Sequence, residues 1–180
     1  MPRSPRSANF ALLRLLILTL AHTSLAATTY YVNDGMGGNE VWCTAVGADT
    51  AGNSALNFPT TAPAATIGYV ISQKLLGPND EIRVDAGSYD VAAAITFTNI
   101  DDGDATGNVT VRGALNGGVW LTALHDDNGT KTERILYLNG TNYVVIRDLE
   151  VRMGRNSGGG SEGHGIEVSN ATNCQVINCW

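Results

Sequence analysis

With 17 acidic against 11 basic residues in 180, and a formal net charge of −6, the chain has no Lys/Arg-rich segment with which to hold nucleic acid or an anionic membrane surface. Its 21 glycines and 43% apolar content suit a turn-rich β protein of one domain better than a helical or disordered chain. Three cysteines leave at least one unpaired within the chain, and none of them has the CxxC spacing of a thiolate metal site.

Residues 1–27 read as a secretory signal. Arg3, Arg6 and Arg14 precede an apolar run from Leu15 to Ala21, and Ser24-Leu25-Ala26-Ala27 offers small residues for cleavage. The run is shorter than the roughly 20 apolar residues that span a bilayer. The protein is therefore expected to be secreted or displayed at the cell surface, with residues 28–180 as its folded part. Without the leader, eight basic residues face 17 acidic ones, a net charge near −9.

The mature chain opens with Tyr30-Tyr31-Val32, followed by an aperiodic Gly/Asn/Asp/Thr-rich stretch that is expected to be an irregular loop reaching Pro63. A single helix comes next. Pro63 suits its start, Ile67, Val70, Ile71 and Leu75 form one apolar stripe, and Gly77-Pro78 ends it. The pattern then switches to period two. Ile82 and Val84 alternate with charged residues, Ala86-Gly87-Ser88 reads as a turn, and Val91, Ile95 and Phe97 lead to an acidic loop, Asp101-Asp102-Gly103-Asp104. Val109 and Val111 form the next pair, then a Gly-rich turn leads to Val119 and Leu121.

The C-terminal part is self-similar. Leu136, Leu138, Val144, Ile146 and Leu149 recur 30 residues later as Ile166, Val168, Cys174, Val176 and Cys179, and Asp148 recurs as Asn178. Such copies cannot bury their apolar faces singly, so they are expected to stack as a β-solenoid. Segment starts at Ile82, Val109, Leu136 and Ile166, spaced 27, 27 and 30 residues, extend that reading back along the chain. A β-sandwich also has many short strands but would not superimpose one copy on the next. Cys174 and Cys179 stand where the earlier copy has Val144 and Leu149, which reads as small buried hydrophobes; export also permits a disulfide, and spacing does not choose between them.

Several stretches carry a family likeness: Tyr30-Tyr31-Val32-Asn33-Asp34-Gly35, Ala65-Thr66-Ile67, residues Asn79 to Tyr89, Asn108 to Gly113, Asn142 to Val151 and His164 to Val168. Together they resemble the N-terminal region of secreted right-handed parallel β-helix proteins of the pectate-lyase-like superfamily. The nearest likenesses are family 9 pectate lyases and secreted bacterial β-helix proteins of unknown function; chondroitinase B and alginate lyases are less close. The resemblance implies an all-β, single-stranded right-handed parallel β-helix whose helix caps the first coil, with Asp148 and Asn178 in an inward ladder and Gly87, Gly113 and Gly140 in turn conformations. It also implies a Ca2+-assisted β-elimination on an acidic polysaccharide such as pectate, with clustered aspartates and a Lys or Arg base. No cluster in this sequence matches those groups, so no catalytic residue or metal ligand is carried over.

The local candidates are few. Asp101, Asp102 and Asp104 lack calcium-loop spacing and read, like Asp126 and Asp127, as solvated turns. Arg147, Glu150, Arg152, Arg155, Glu162, His164 and Glu167 flank a loop over 154–163 and read as ordinary surface charge; the alternative is that Arg147 and Arg152 face outward beside that loop and bind a carboxylated sugar. His164, without a paired carboxylate in the sequence, reads as structural. Gly158-Gly159-Gly160 has no nucleotide-binding spacing. Asn108, Asn128, Asn139 and Asn170 begin glycosylation sequons that coil-turn chemistry explains equally well. Because the chain stops at Trp180 inside a repeat with nothing to cap it, it is expected to be the N-terminal part of a longer protein, inactive as it stands, with catalytic coils beyond. A non-catalytic glycan-binding or adhesion β-helix is the alternative.

Overall fold

Period-two alternation needs a partner for each strand, and the pairing decides the fold. The computed structural model describes residues 26–35, 39–126, 134–152 and 164–180. Most of the expected leader, Asp127, Asn128, Arg155, Glu162 and the glycine run 158–160 lie outside these residues. Strands β1 (Thr29–Val32), β2 (Glu81–Val84), β5 (Val109–Gly113), β10 (Val144–Arg147) and β13 (Gln175–Ile177) lie side by side in a first sheet. A second sheet holds β3 (Gly87–Asp90), β8 (Thr122–His125) and β11 (Glu150–Arg152). The third holds β4 (Ile95–Phe97), β9 (Arg134–Asn139) and β12 (His164–Ser169). All pairings in these sheets are parallel. From β2 onward the chain visits the first, second and third sheets in turn and returns to the first one strand further along. Among the described residues only an antiparallel hairpin of β6 (Leu115–Asn116) and β7 (Val119–Trp120) interrupts this order. Its two loop residues, Gly117 and Gly118, both have positive φ, the geometry that a two-residue hairpin turn requires.

Among the described residues the chain is therefore all-β, with parallel sheets and two short helices. The 30-residue copy holds in the pairing: Leu136 faces Ile166, Leu138 faces Val168 and Ile146 faces Val176. Backbone geometry repeats with it. Gly140 and Asn170, Tyr143 and Asn173, and Asp148 and Asn178 are three pairs of left-handed residues, each pair 30 residues apart. Asn178 donates its side-chain amide to Asp148 Oδ1 at 2.8 Å, the expected rung between copies.

Four expectations fail. The 27-residue spacing is not a structural period, because Ile82 pairs with Val111 in the first sheet while Leu136 pairs with Ile95 in the third. Alternating strands of different sheets look alike in sequence, and only hydrogen bonding assigns them. The turn sits at Asp85-Ala86, so Gly87 and Ser88 already belong to β3. Gly87 and Gly113 are not positive-φ turn residues; of the three predicted glycines only Gly140 is. What Gly113 provides is room. A Cβ there would stand 2.2 Å from the Asp148 carbonyl oxygen and 2.7 Å from Leu149 Cδ2. Gly113→Ala is therefore expected to lower stability by about 1–3 kcal/mol, read from the shift in a denaturant midpoint, because a backbone carbonyl cannot yield as a side chain can.

The fourth concerns the stretch before the predicted helix and the bounds of that helix. Helix α1 (Ala51–Ala55) occurs within the stretch expected to be irregular, started by the Thr50 side chain, which accepts the Asn53 N–H. Helix α2 spans Ile67–Gln73 and starts at Thr66, not Pro63; the Thr66 hydroxyl accepts the Tyr69 N–H at 3.1 Å. Ile67 and Val70 are buried as the stripe predicts, but the chain becomes extended at Lys74, so Leu75 turns outward and Leu76 takes the core position. The helix packs against β4. The outer edge of β1 is instead covered by backbone: Tyr31 donates to the Phe58 carbonyl, and Ala64 both donates to Tyr31 and accepts from Asn33, each at 2.9 Å. Both devices hide strand edges that would otherwise pair with other chains.

Candidate functional site

Parallel register turns a periodic sequence into rows of like side chains. In the first sheet, Ile82, Val111 and Ile146 point inward and are fully buried. The residues next to them face out, and they are Arg83, Arg112 and Arg147, in register across three adjacent strands. Tyr31 precedes Arg83 in the same row and Ile177 comes after Arg147. Neighbouring strands stand about 4.8 Å apart, so the guanidinium groups repeat at about that interval. Three of the eight basic residues in the stretch 28–180 thus share one row.

The row is only partly neutralised. Arg83 Nε donates to Glu81 at 2.8 Å and Arg147 Nε donates to Asp148 Oδ2 at 2.8 Å. Arg112 Nε lies 3.5 Å from the same Asp148 oxygen and has no hydrogen-bond partner. Two carboxylates therefore serve three guanidiniums, and the middle one is the least satisfied. The arginine side chains stay 31–40% exposed, so their forks reach solvent. Burial pushes the Asp148 carboxyl up, but the Asn178 amide, Arg147 and Arg112 outweigh it and hold it below the ordinary carboxylate value.

An aromatic ring lies over this row. The Trp42 centroid is 5.6 Å from Arg83 Cζ and 5.9 Å from Arg112 Cζ, and the Tyr31 ring is 5.9 Å from Arg83 Cζ. Trp42 belongs to a loop without regular structure, and one buried side chain fixes it. Asp85, fully buried at the corner after β2, accepts backbone N–H bonds from Val41 (2.6 Å), Trp42 (3.0 Å), Cys43 (2.5 Å) and Ala86 (2.8 Å). Burial alone would raise its pKa; the four donors more than reverse this and keep it ionised below the usual range. Cys43 beside it is buried and free, its thiol pushed far up by burial and by the Asp85 carboxylate.

The other candidates are placed differently from the expectation. Arg147 and Arg152 do not form a pair: they sit in the first and second sheets, and Arg152 is held by Glu150 at 2.6 and 2.8 Å. Arg83 and Arg112, not Arg152, are the arginines that stand in register with Arg147. The signal was present as Ile82-Arg83, Val111-Arg112 and Ile146-Arg147, but it needs the register to be seen. His164 pairs in register with Arg134 at the start of β12, and Arg134 is ion-paired with Glu167 over the Tyr137 ring.

In the acidic loop Asp104 is exposed as expected, but Asp101 is buried and Asp102 is half-buried and engaged. Asp102 accepts from Thr141 Oγ1 (2.6 Å), Asn142 N (2.6 Å) and Asn142 Nδ2 (3.0 Å), clamping the turn between β9 and β10. Asp101 is buried, its Oδ2 accepting from Thr98 at 3.1 Å; burial pushes its carboxyl up. Asp104 closes on Thr106, and Asp126 is also buried. Among the described residues no three His, Cys, Asp or Glu side chains converge as a metal site. Cys174 and Cys179 are free, and both pack against the core. Asn139 and Asn170 are exposed, and Asn108 lies in the turn before β5. No helix among the described residues is long and apolar enough to cross a membrane. No protein-family model, curated protein or solved structure matches this chain significantly.

Proposed function

We propose that this chain is an exported right-handed parallel β-helix of the pectate-lyase-like kind that engages an acidic polysaccharide. The fold reading is supported by the cyclic return of the chain through three parallel sheets, by the Asp148–Asn178 rung, and by the near-universal right-handedness of parallel crossovers. The observation that carries the function is the row Arg83–Arg112–Arg147. In a protein with a net charge of −6, long-range attraction for a polyanion is absent. A surface that nevertheless aligns three guanidinium forks at strand spacing is built for short-range contact with planar anions such as sugar carboxylates.

Binding leads to one of two ends. The first is cleavage of the bound polymer by β-elimination, with Ca2+ supplied at a carboxylate cluster. The second is binding without chemistry. It is favoured by the carboxylates of the described residues, since Asp85, Asp102, Asp104 and Asp148 are each engaged by protein donors. The test is to titrate the secreted chain with polygalacturonate and with a neutral polysaccharide at low salt, with and without added Ca2+. Affinity for the acidic polymer alone is expected; equal or no retention of both would overturn the reading. Release of unsaturated uronate, monitored by absorbance, separates the lyase from the binder.

A further inference from the structure

The arginine row also has a direction, and its parts differ. Resting on the acidic-polysaccharide reading above, we propose that the glycan lies across the strands of the first sheet, with successive acidic sugars over Arg83, Arg112 and Arg147. Arg112 is the anchor, and Trp42 presents a ring to the sugar beside it.

Three observations lead there. The guanidiniums are in strict register on β2, β5 and β10, so a ligand with one carboxylate per repeat meets all three only by running across the strands. Their spacing of about 4.8 Å is set by strand pairing and is comparable with the length of one pyranose unit. A glycan laid along a single strand would find one arginine. Second, the row contains one guanidinium more than its two carboxylates, Glu81 and Asp148, compensate. The unmet group is Arg112, in the middle, where Nε has no hydrogen-bond partner. A ligand carboxylate arriving there competes only with the longer 3.5 Å ion pair to Asp148, whereas at Arg83 or Arg147 it competes with a hydrogen-bonded one at 2.8 Å. Third, Trp42 lies within 6 Å of both Arg83 and Arg112, so a sugar held by Arg112 has an aromatic ring beside it. Asp85, holding the backbone of residues 41–43, is a positioning residue for that ring.

The chemistry is recognition only: a carboxylate accepts N–H bonds from a fork, and no covalent step is implied. Affinity should rise with oligomer length until three consecutive acidic sugars are covered and gain little afterwards. Loss of Arg112 should cost more than loss of either neighbour.

The experiment is calorimetric titration of the full chain with galacturonate oligomers of one to six residues, for wild type, Arg112→Ala, Arg112→Lys, Arg83→Ala, Arg147→Ala and Arg152→Ala, with thermal melts to verify folding. Arg112→Ala is expected to weaken trimer binding about 10- to 100-fold, as loss of a charge-assisted contact does. Arg112→Lys should lose less, since charge remains while the fork is gone. Arg152→Ala, outside the row, should bind as wild type. If folded Arg112→Ala and Arg112→Lys bind the trimer as wild type does, or if affinity does not depend on length, the subsite is wrong while the acidic-polysaccharide reading stands. If wild type binds no acidic oligomer or polymer, that reading fails and the subsite with it.

Discussion

Asp85→Ala is expected to be among the most damaging single substitutions in this protein, although it removes no apolar contact. The carboxylate is fully buried and accepts four backbone N–H groups, three of them from the consecutive residues Val41, Trp42 and Cys43. No helix or strand satisfies those three donors otherwise. Each donor left buried without a partner costs about 1–3 kcal/mol, and loosening of the loop to admit water recovers part of that. A net loss of about 3 kcal/mol is expected. At about 2–4 °C per kcal/mol for a chain of this size, the melting temperature should fall by roughly 10 °C. Trp42 emission should shift to the red as its loop opens, and binding through the arginine row should weaken even where the protein stays folded. Asp85→Asn should fall in between, since an amide oxygen still accepts while its NH2 group faces donors. An unchanged melting temperature in Asp85→Ala would show that the loop is held by something else.

The same group predicts the acid limb of stability. The folded-state pKa of Asp85 lies below its unfolded value, and the same holds for Asp102 and Asp148. Groups of this kind contribute stability that is complete above the unfolded pKa, near 3.9, and is lost as pH falls through the depressed folded value. Wild-type stability should therefore drop below about pH 4. Asp85→Ala should show a shallower drop, since one of the linked groups is gone. Asp101 runs the other way, because burial raises its carboxyl, so its ionisation at neutral pH opposes folding.

Ile146→Ala is the second large effect, and its control lies one strand away. Ile146 is fully buried between Val111 and Val176, and truncation to alanine should cost about 2–5 kcal/mol through lost burial and the cavity that remains. Val176 holds the same inward register position but is 47% exposed. Val176→Ala is expected to cost under about 1 kcal/mol, as changes at exposed sites do. Urea unfolding of the two variants measures the difference. Similar losses would mean that in solution the face of β13 is covered as completely as that of β10.

These expectations differ in how far the sequence alone supports them. The strands were legible because alternation has a period of two and marks pairs such as Ile82/Val84, Val109/Val111 and Leu136/Leu138. The 30-residue copy was legible because two successive segments repeat both their apolar positions and their left-handed turn residues, so the pairing of Leu136 with Ile166 needed no structure. The hairpin at Asn116-Gly117-Gly118 also carried a local signal, since an Asn-Gly-Gly turn between apolar segments favours positive φ. Helix α2 was legible as an apolar stripe, but not its end at Gln73, where one extended residue exchanged Leu75 for Leu76.

The candidate site was not legible, for a physical reason. Arg83, Arg112 and Arg147 are 29 and 35 residues apart, and the unequal loops between them hide any period. Hydrogen bonding between β2, β5 and β10 brings them into one row, and that register depends on the whole stack. Asp85 looks in sequence like any charged residue ending a strand, and its burial beneath residues 41–43 is a contact across more than 40 positions. Sequence alone determined the strand-rich class, the acidic balance and the last repeat, because these depend on composition and on neighbours along the chain. Tertiary structure alone decided which strands share a sheet, which charges meet and which carboxylates are buried, because each of these depends on pairing between segments whose separation the sequence does not encode locally.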